Sequence, residues 1–296
     1  MKYLVSIIIF IILISARSPT YGQTKFSQET NFINHLFDIK EFDEAIYYLK
    51  DISSLYSTQN DSVQYLLGRS HYLKKEVGLA IPYFEKVNTK NHNLWVCSQM
   101  FSSFCNNHQK NYSSAITALE NIDAQGELYK QLRYTQLAGS YLLSKQISKY
   151  DSIAPLLSRD YLSLQRTNQR LESYSHNLKN LKMKSPVLAG VFSAIIPGSG
   201  KIYAGKTGEG LSTLFLHTIL GFMAKEALKK DGAQSPRFLL YGSIFSLFYV
   251  ANIWSSTLSV KIYRNEYYES VHESIMVDLH IPLRTIFGSG KYEASR

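Results

Sequence analysis

The sequence predicts an all-α protein, a stack of helical hairpins followed by a small helical transmembrane domain. Three observations predict it. Matching residues recur at a spacing of 35 across residues 42–122, charge disappears from long stretches after Lys184, and a glycine-rich turn separates two of those stretches. With 296 residues, 45% of them apolar, the chain suffices for one large or two ordinary domains with a buried core. A net charge of +9 suits nucleic acid, anionic lipid headgroups or acidic partners. Lys179, Lys182 and Lys184 precede an apolar segment and no RNA- or DNA-reading motif is present, so lipid headgroups fit better than nucleic acid.

Residues 1–22 read as a signal peptide. Lys2 gives the positive start, Val5 to Ile14 is almost wholly apolar, and Thr20 and Gly22 place cleavage after Gly22. The apolar core is short for a span of about 20 residues, and an uncleaved anchor is the alternative. The cleavage point carries no cysteine, which argues against a lipoprotein.

Residues 23–158 carry the repeats. FDEAIYYLKDI (Phe42–Ile52), VGLAIPYFEKV (Val77–Val87) and YSSAITALENI (Tyr112–Ile122) align on Ala45, Ala80 and Ala115. Isoleucine follows each alanine. Leu49, Phe84 and Leu119 come four residues on, and Ile52, Val87 and Ile122 seven residues on. A small residue lets two helices approach, and the +4 and +7 positions line one helical face. Each such helix follows another (NFINHLFDI, YLLGRSHYL, MFSSFCNNH) across a short polar turn. One hairpin cannot bury its own face, so neighbours must stack. Cys97 and Cys105 would lie about 12 Å apart on one helix, too far for a disulfide, and read as small buried hydrophobes.

These columns resemble the tetratricopeptide repeat. The middle unit matches best: Leu67-Gly68 falls on the family's Leu-Gly pair, Ala80 on its small residue and Phe84 on its second-helix aromatic. His71 and Gln64 depart from the pattern, no proline closes each unit, and the period is one residue longer than the family's usual one. A degenerate fourth unit falls within Leu137–Leu157. The resemblance implies a concave surface, lined by the first helix of each unit, that grips an extended peptide or a partner helix. Tyr65, Arg69, Tyr72, Phe104 and Asn107 are then the candidate partner-binding residues, of types that suit such contacts.

Residues 159–184 predict a basic amphipathic helix with Leu164, Leu171, Tyr174, Leu178 and Leu181 near a heptad pattern. It could cap the open end of the stack and could also lie on a membrane surface, two compatible roles. Residues 185–262 form the expected membrane domain. Phe238 to Val260 is uncharged over 23 residues, enough to cross a hydrocarbon core of about 30 Å. Gly210 to Leu228 is a second span if Lys225 snorkels. Pro186 to Gly200 is a third span, a re-entrant segment or an interfacial helix. Lys225, Lys229, Lys230 and Arg237 make the most basic short loop, which favours two spans and a re-entrant segment. Within the polar tail, residues 263–296, the stretch from His272 to Arg296 could add one short strand or remain flexible, and the sequence does not decide.

PGSGKIYAGKT (Pro197–Thr207) matches the phosphate-loop pattern G-x-x-x-x-G-K-[ST] from Gly200 to Thr207. That motif needs a strand before it and further strands after it, and residues 210–260 read as membrane-spanning instead. The reading is therefore a bend at a membrane interface with no nucleotide bound. Tyr203 sits at the headgroup level and the glycines permit tight turns. Pro197, Gly198, Gly200, Tyr203 and Gly205, followed by an apolar helix, resemble the glycine-turn two-transmembrane-helix domains of Bacteroidetes-type envelope proteins, some of which stand beside domains implicated in membrane-protein insertion.

Other chemistry is thin. There is no H-E-x-x-H and no cysteine–histidine spacing for a metal, His272-Glu273 reads as a surface pair, and Ser199 lacks a nucleophile elbow. His217 lies inside an expected span, where it is either functional or a neutral ring bonded to a neighbouring helix. The sequence thus predicts a non-enzymatic adaptor without cofactor, exported and held at a bacterial membrane. An accessory role in membrane-protein insertion or envelope biogenesis is the alternative, and a small oligomeric channel the third reading.

Overall fold

The computed structural model describes residues 21–57, 60–88, 92–181 and 184–287. The expected signal peptide lies almost wholly outside them. The described residues are helical and contain no strand. Two compact units emerge: residues 1–175 with 275–296, and residues 176–274.

In the first unit, α1 (Tyr21–Asp38) pairs with α2 (Phe42–Ile52), α3 (Asn60–Leu73) with α4 (Val77–Glu85), α5 (His92–His108) with α6 (Tyr112–Glu120), and α7 (Glu127–Leu143) with α8 (Ile147–Ile153). The sequence columns account for the core. Ala45, Ala80 and Ala115 are fully buried, and Leu49, Phe84 and Leu119 fill the position four residues on. Gly68 leaves room for the Phe84 ring, which lies 2.8 Å from where a Cβ would stand. In the fourth hairpin the alanine column holds Tyr150, also buried.

The turns repeat as strictly as the helices. Lys40, Lys75, Lys110 and Lys145 all have φ between 60° and 69°, the left-handed region. After each one, the next amide reaches back five residues: Glu41 N–H to the Leu36 carbonyl, Glu76 to His71, Asn111 to Asn106 and Gln146 to Tyr141, at 2.8–2.9 Å. This is the Schellman geometry that satisfies the last carbonyls of a helix. A non-glycine residue there costs about 1–2 kcal/mol, so four lysines at one spacing mark one turn used four times.

Helix α9 (Leu162–Lys179) closes the row. Leu164 and Leu171 are fully buried, and Asn168 accepts from Thr135 Oγ1 at 2.8 Å.

The second unit holds α10 (Pro186–Ile195), the short α11 (Ser199–Ala204), α12 (Thr207–Asp231) and the first three-quarters of α13 (Pro236–Phe287). Its boundaries are wider than the predicted 185–262. The tail departs further from expectation. Residues 263–287 are neither strand nor irregular but continue α13, and residues 275–287 belong with the repeats. Ile275, Leu279, Leu283 and Phe287 recur every fourth residue on one face, a pattern too short and too broken by charge to stand out beside the long apolar run.

Candidate functional site

Residues 275–287 pack on helices of the first unit, and the surface that receives them, hereafter the groove, is formed by residues of α3, α5, α7 and α9. Ile275, Leu279, Leu283 and Phe287 are buried there. Leu279 packs where Gly139 has no Cβ, its nearest methyl 2.5 Å from where one would stand. His280 stacks on Phe104 with ring centroids 5.1 Å apart and meets the edge of Tyr72 at 5.8 Å. Phe287 lies parallel to Tyr129 at 5.6 Å.

Polar contacts fix the register. Asp278 is buried and accepts from Tyr174 OH at 2.8 Å, while Arg170 Nε pairs with it at 2.9 Å. Burial pushes the Asp278 carboxyl above the ordinary range, and the Tyr174 hydroxyl and Arg170 pull it part of the way back. Burial holds His280 below its ordinary value, with Arg284 adding to the effect. Burial likewise raises the Tyr72 hydroxyl.

The five predicted partner-binding residues therefore divide. Tyr72 and Phe104 do line the groove, but their faces meet His280 of the same chain. Tyr65 is buried inside the hairpins against Phe84 at 6.0 Å, and Asn107 is buried and donates to Ser140 Oγ at 2.8 Å. Arg69 lies over the Phe37 ring at 5.3 Å. As an open surface of these five residues, the prediction is corrected. The residues it missed are Gln136, Gly139, Thr167, Arg170 and Tyr174, on helices of the fourth hairpin and the cap. The column Arg69, Phe104, Gly139, at the repeat spacing, was the signal that could have found Gly139. Cys97 and Cys105 are free and buried, and burial pushes both thiols up to about 12, far from a reactive thiolate.

The second unit is built around the glycine turn. Pro197 and Gly198 form the bend between α10 and α11, and Gly198 has φ 86°. A side chain on Gly198 would overlap the Gly210 carbonyl, and one on Gly200 the Ala189 carbonyl. Tyr203 OH accepts from the Ser185 amide at 3.1 Å, and Gly205 ends α11 with φ 102°. Lys184 Nζ lies over the Tyr203 and Tyr263 rings at 5.9 and 5.1 Å. Residues 199–204 are helical, whereas a phosphate-binding loop would follow a strand. Lys206 is engaged by Glu209 and Glu266 at 3.7 and 3.8 Å.

A buried polar cluster that sequence reading passed over closes this turn. Asn252 Oδ1 accepts from the Gly198 amide and its Nδ2 donates to the Ser193 carbonyl, both at 3.2 Å. Ser193 Oγ accepts from the Gly200 amide at 3.0 Å and meets Ser256 Oγ at 2.7 Å. An asparagine inside a 23-residue uncharged run was the available signal. His217 is buried, with Nδ1 donating to the Thr213 carbonyl at 2.8 Å and its ring edge-on to Phe245 and Tyr249.

One helix among the described residues, Pro236–Phe287, is long and apolar enough to cross a membrane, and its apolar window is only 6% buried. Among these residues no group of three or more metal-ligating side chains is found. Compared with known proteins, the chain matches no family model, no curated protein and no solved structure.

Proposed function

We propose that the chain is a membrane-held adaptor without catalytic function, whose tetratricopeptide-like hairpins form a solenoid that grips helices. The observation that carries this reading is the groove itself, which holds a helix, residues 275–287, through apolar, aromatic and charged contacts together. Stacked helical hairpins present such a face as a consequence of their geometry. The anchoring part rests on α12 and α13. At 25 residues, α12 is about 37 Å long, and α13 carries the apolar window. With an export signal at the N-terminus, the repeats lie outside the inner membrane, in the periplasm.

Two measurements test the reading. Single cysteines at Ser54 and Gly232, in a chain freed of Cys97 and Cys105, are labelled in intact spheroplasts. The exported adaptor gives labelling at Ser54 and none at Gly232 before lysis, and the reverse pattern overturns it. A photoreactive residue at Arg69, in the full chain in its own membrane, gives a discrete adduct with a second protein. Adducts confined to the chain itself count against the adaptor.

A further inference from the structure

Pro282 sits inside α13. Proline has no N–H, so the carbonyl four residues earlier, that of Asp278, loses its helical donor, and the ring crowds it outward. The groove meets this defect. Thr167 Oγ1 donates to the Asp278 carbonyl at 3.1 Å, and Gln136 Nε2 donates to the adjoining Leu279 carbonyl at 2.8 Å. The two donors stand on different helices, α9 and α7, and both are buried. An unbroken helix satisfies the Asp278 carbonyl with its own amide and has less to offer Thr167. Arg170 and Tyr174 meet the acid of Asp278 beside them.

The resident segment leaves the groove incompletely satisfied. The Tyr72 hydroxyl and Gln136 Oε1 are buried without a hydrogen-bond partner among the described residues. Asp278 and His280 are both shifted against their charged forms by burial. A better-fitting helix has something to gain there.

We propose that the groove is a receptor for proline-interrupted amphipathic helices bearing an acid four residues before the proline, with residues 275–287 as its displaceable resident. The proposal rests on the adaptor reading and names the partner class. Such a helix carries apolar residues seven and three positions before the proline and one and five after it, as Ile275, Leu279, Leu283 and Phe287 do around Pro282.

The test uses the full chain in detergent micelles and a fluorescein-labelled peptide of residues 274–287, with and without Pro282→Ala in the peptide. Leu279→Arg in the protein expels the resident segment and should raise peptide affinity by about tenfold or more over the unaltered chain. In that background, Thr167→Val should weaken the proline peptide by roughly three- to tenfold and the alanine peptide by less than about twofold. Peptide helicity cancels in this cycle. An equal loss for both peptides overturns proline recognition while leaving a helix-binding adaptor in place. No binding of either peptide, with the helical circular dichroism intact, overturns the receptor and with it the groove as the adaptor's surface. A chain ending at Ser274 replaces Leu279→Arg if that variant misfolds.

Discussion

The two units differ in how large the apolar residues they bury are. In the repeats, the fully covered side chains include many large apolar ones, such as Leu49, Phe84, Leu119, Leu132 and Leu164, beside polar ones such as Ser70, Ser103, Thr135 and Gln136. In the glycine-turn unit, the covered residues are mostly small or polar, among them Ala189, Ala204, Ser193, Asn252, Ser256 and His217, with Val260 the largest apolar one. Phe215, Phe222, Leu247 and Trp254 point outward, Trp254 at 75% exposure. Water drives the first arrangement, because apolar area must leave it. The second arrangement suits a solvent as apolar as the side chains, where helices associate through close backbone approach and a few hydrogen bonds. The difference teaches that the second unit keeps its large apolar side chains on the outside, the arrangement that the proposed membrane insertion requires.

The comparison breaks first at the glycines. Gly200→Val drives a side chain into the Ala189 carbonyl, which is backbone and cannot turn aside. We expect a loss of about 3 kcal/mol or more and no folded protein recovered in detergent. Gly68→Ala meets only the movable Phe84 ring, and a shift of about 1–2 kcal/mol in denaturant unfolding should result. Next comes polarity. Asn252→Leu strands the Gly198 amide and the Ser193 carbonyl, at about 1–3 kcal/mol. Trp254→Leu on the outer face should stay within about 0.5 kcal/mol in the same detergent unfolding assay. Equal costs would show that the second unit is not inside-out.

The third test is pH. The folded value of His280 lies below its unfolded value, about 6.5, so at His280 the released segment binds more protons than the docked one, whereas Asp278, raised by burial, acts in the opposite direction at lower pH. The contribution of His280 to docking is complete above about pH 6.5 and is lost as pH falls through the lowered folded value. Hydrogen exchange of residues 275–287 should therefore quicken on acidification relative to the neighbouring hairpins, and His280→Phe should remove that step. The smallest effect is at the turns. Lys110→Gly relieves a left-handed lysine and should stabilise the repeats by about 0.5 kcal/mol in denaturant titrations, the net of relieved strain and added chain entropy.

Local pattern was legible in the sequence, and partnership was not. The alanine, +4 and +7 columns gave the second helices and their buried faces, because a helix repeats the same neighbours every turn. The bend at Pro197–Gly200 was legible because proline and glycine act through the backbone they sit in. The lysines at 40, 75, 110 and 145 share the same spacing, yet lysine does not announce a left-handed conformation as glycine does. Asn252 looked like an isolated polar residue because its partners are 54 and 59 residues away. The groove's occupant was hidden for the same reason. Gln136 and Leu279 are separated by 143 residues, and Pro282 reads as a helix breaker until Thr167 is seen beside the carbonyl it frees.

The docked segment also bears on how the proposed anchor would be threaded. The repeat unit is assembled from residues on both sides of the glycine-turn unit, residues 1–175 and 275–296, so the intervening chain is an excursion that returns to where it left. An excursion into a bilayer that returns to the same face makes an even number of crossings. Under the proposed anchoring, two passages by α12 and α13 would satisfy this parity, and three full passages would not. A chain that miscounted would strand Leu279 and Pro282 across the bilayer from Gln136 and Thr167, and its vacant groove would mark it as wrongly threaded.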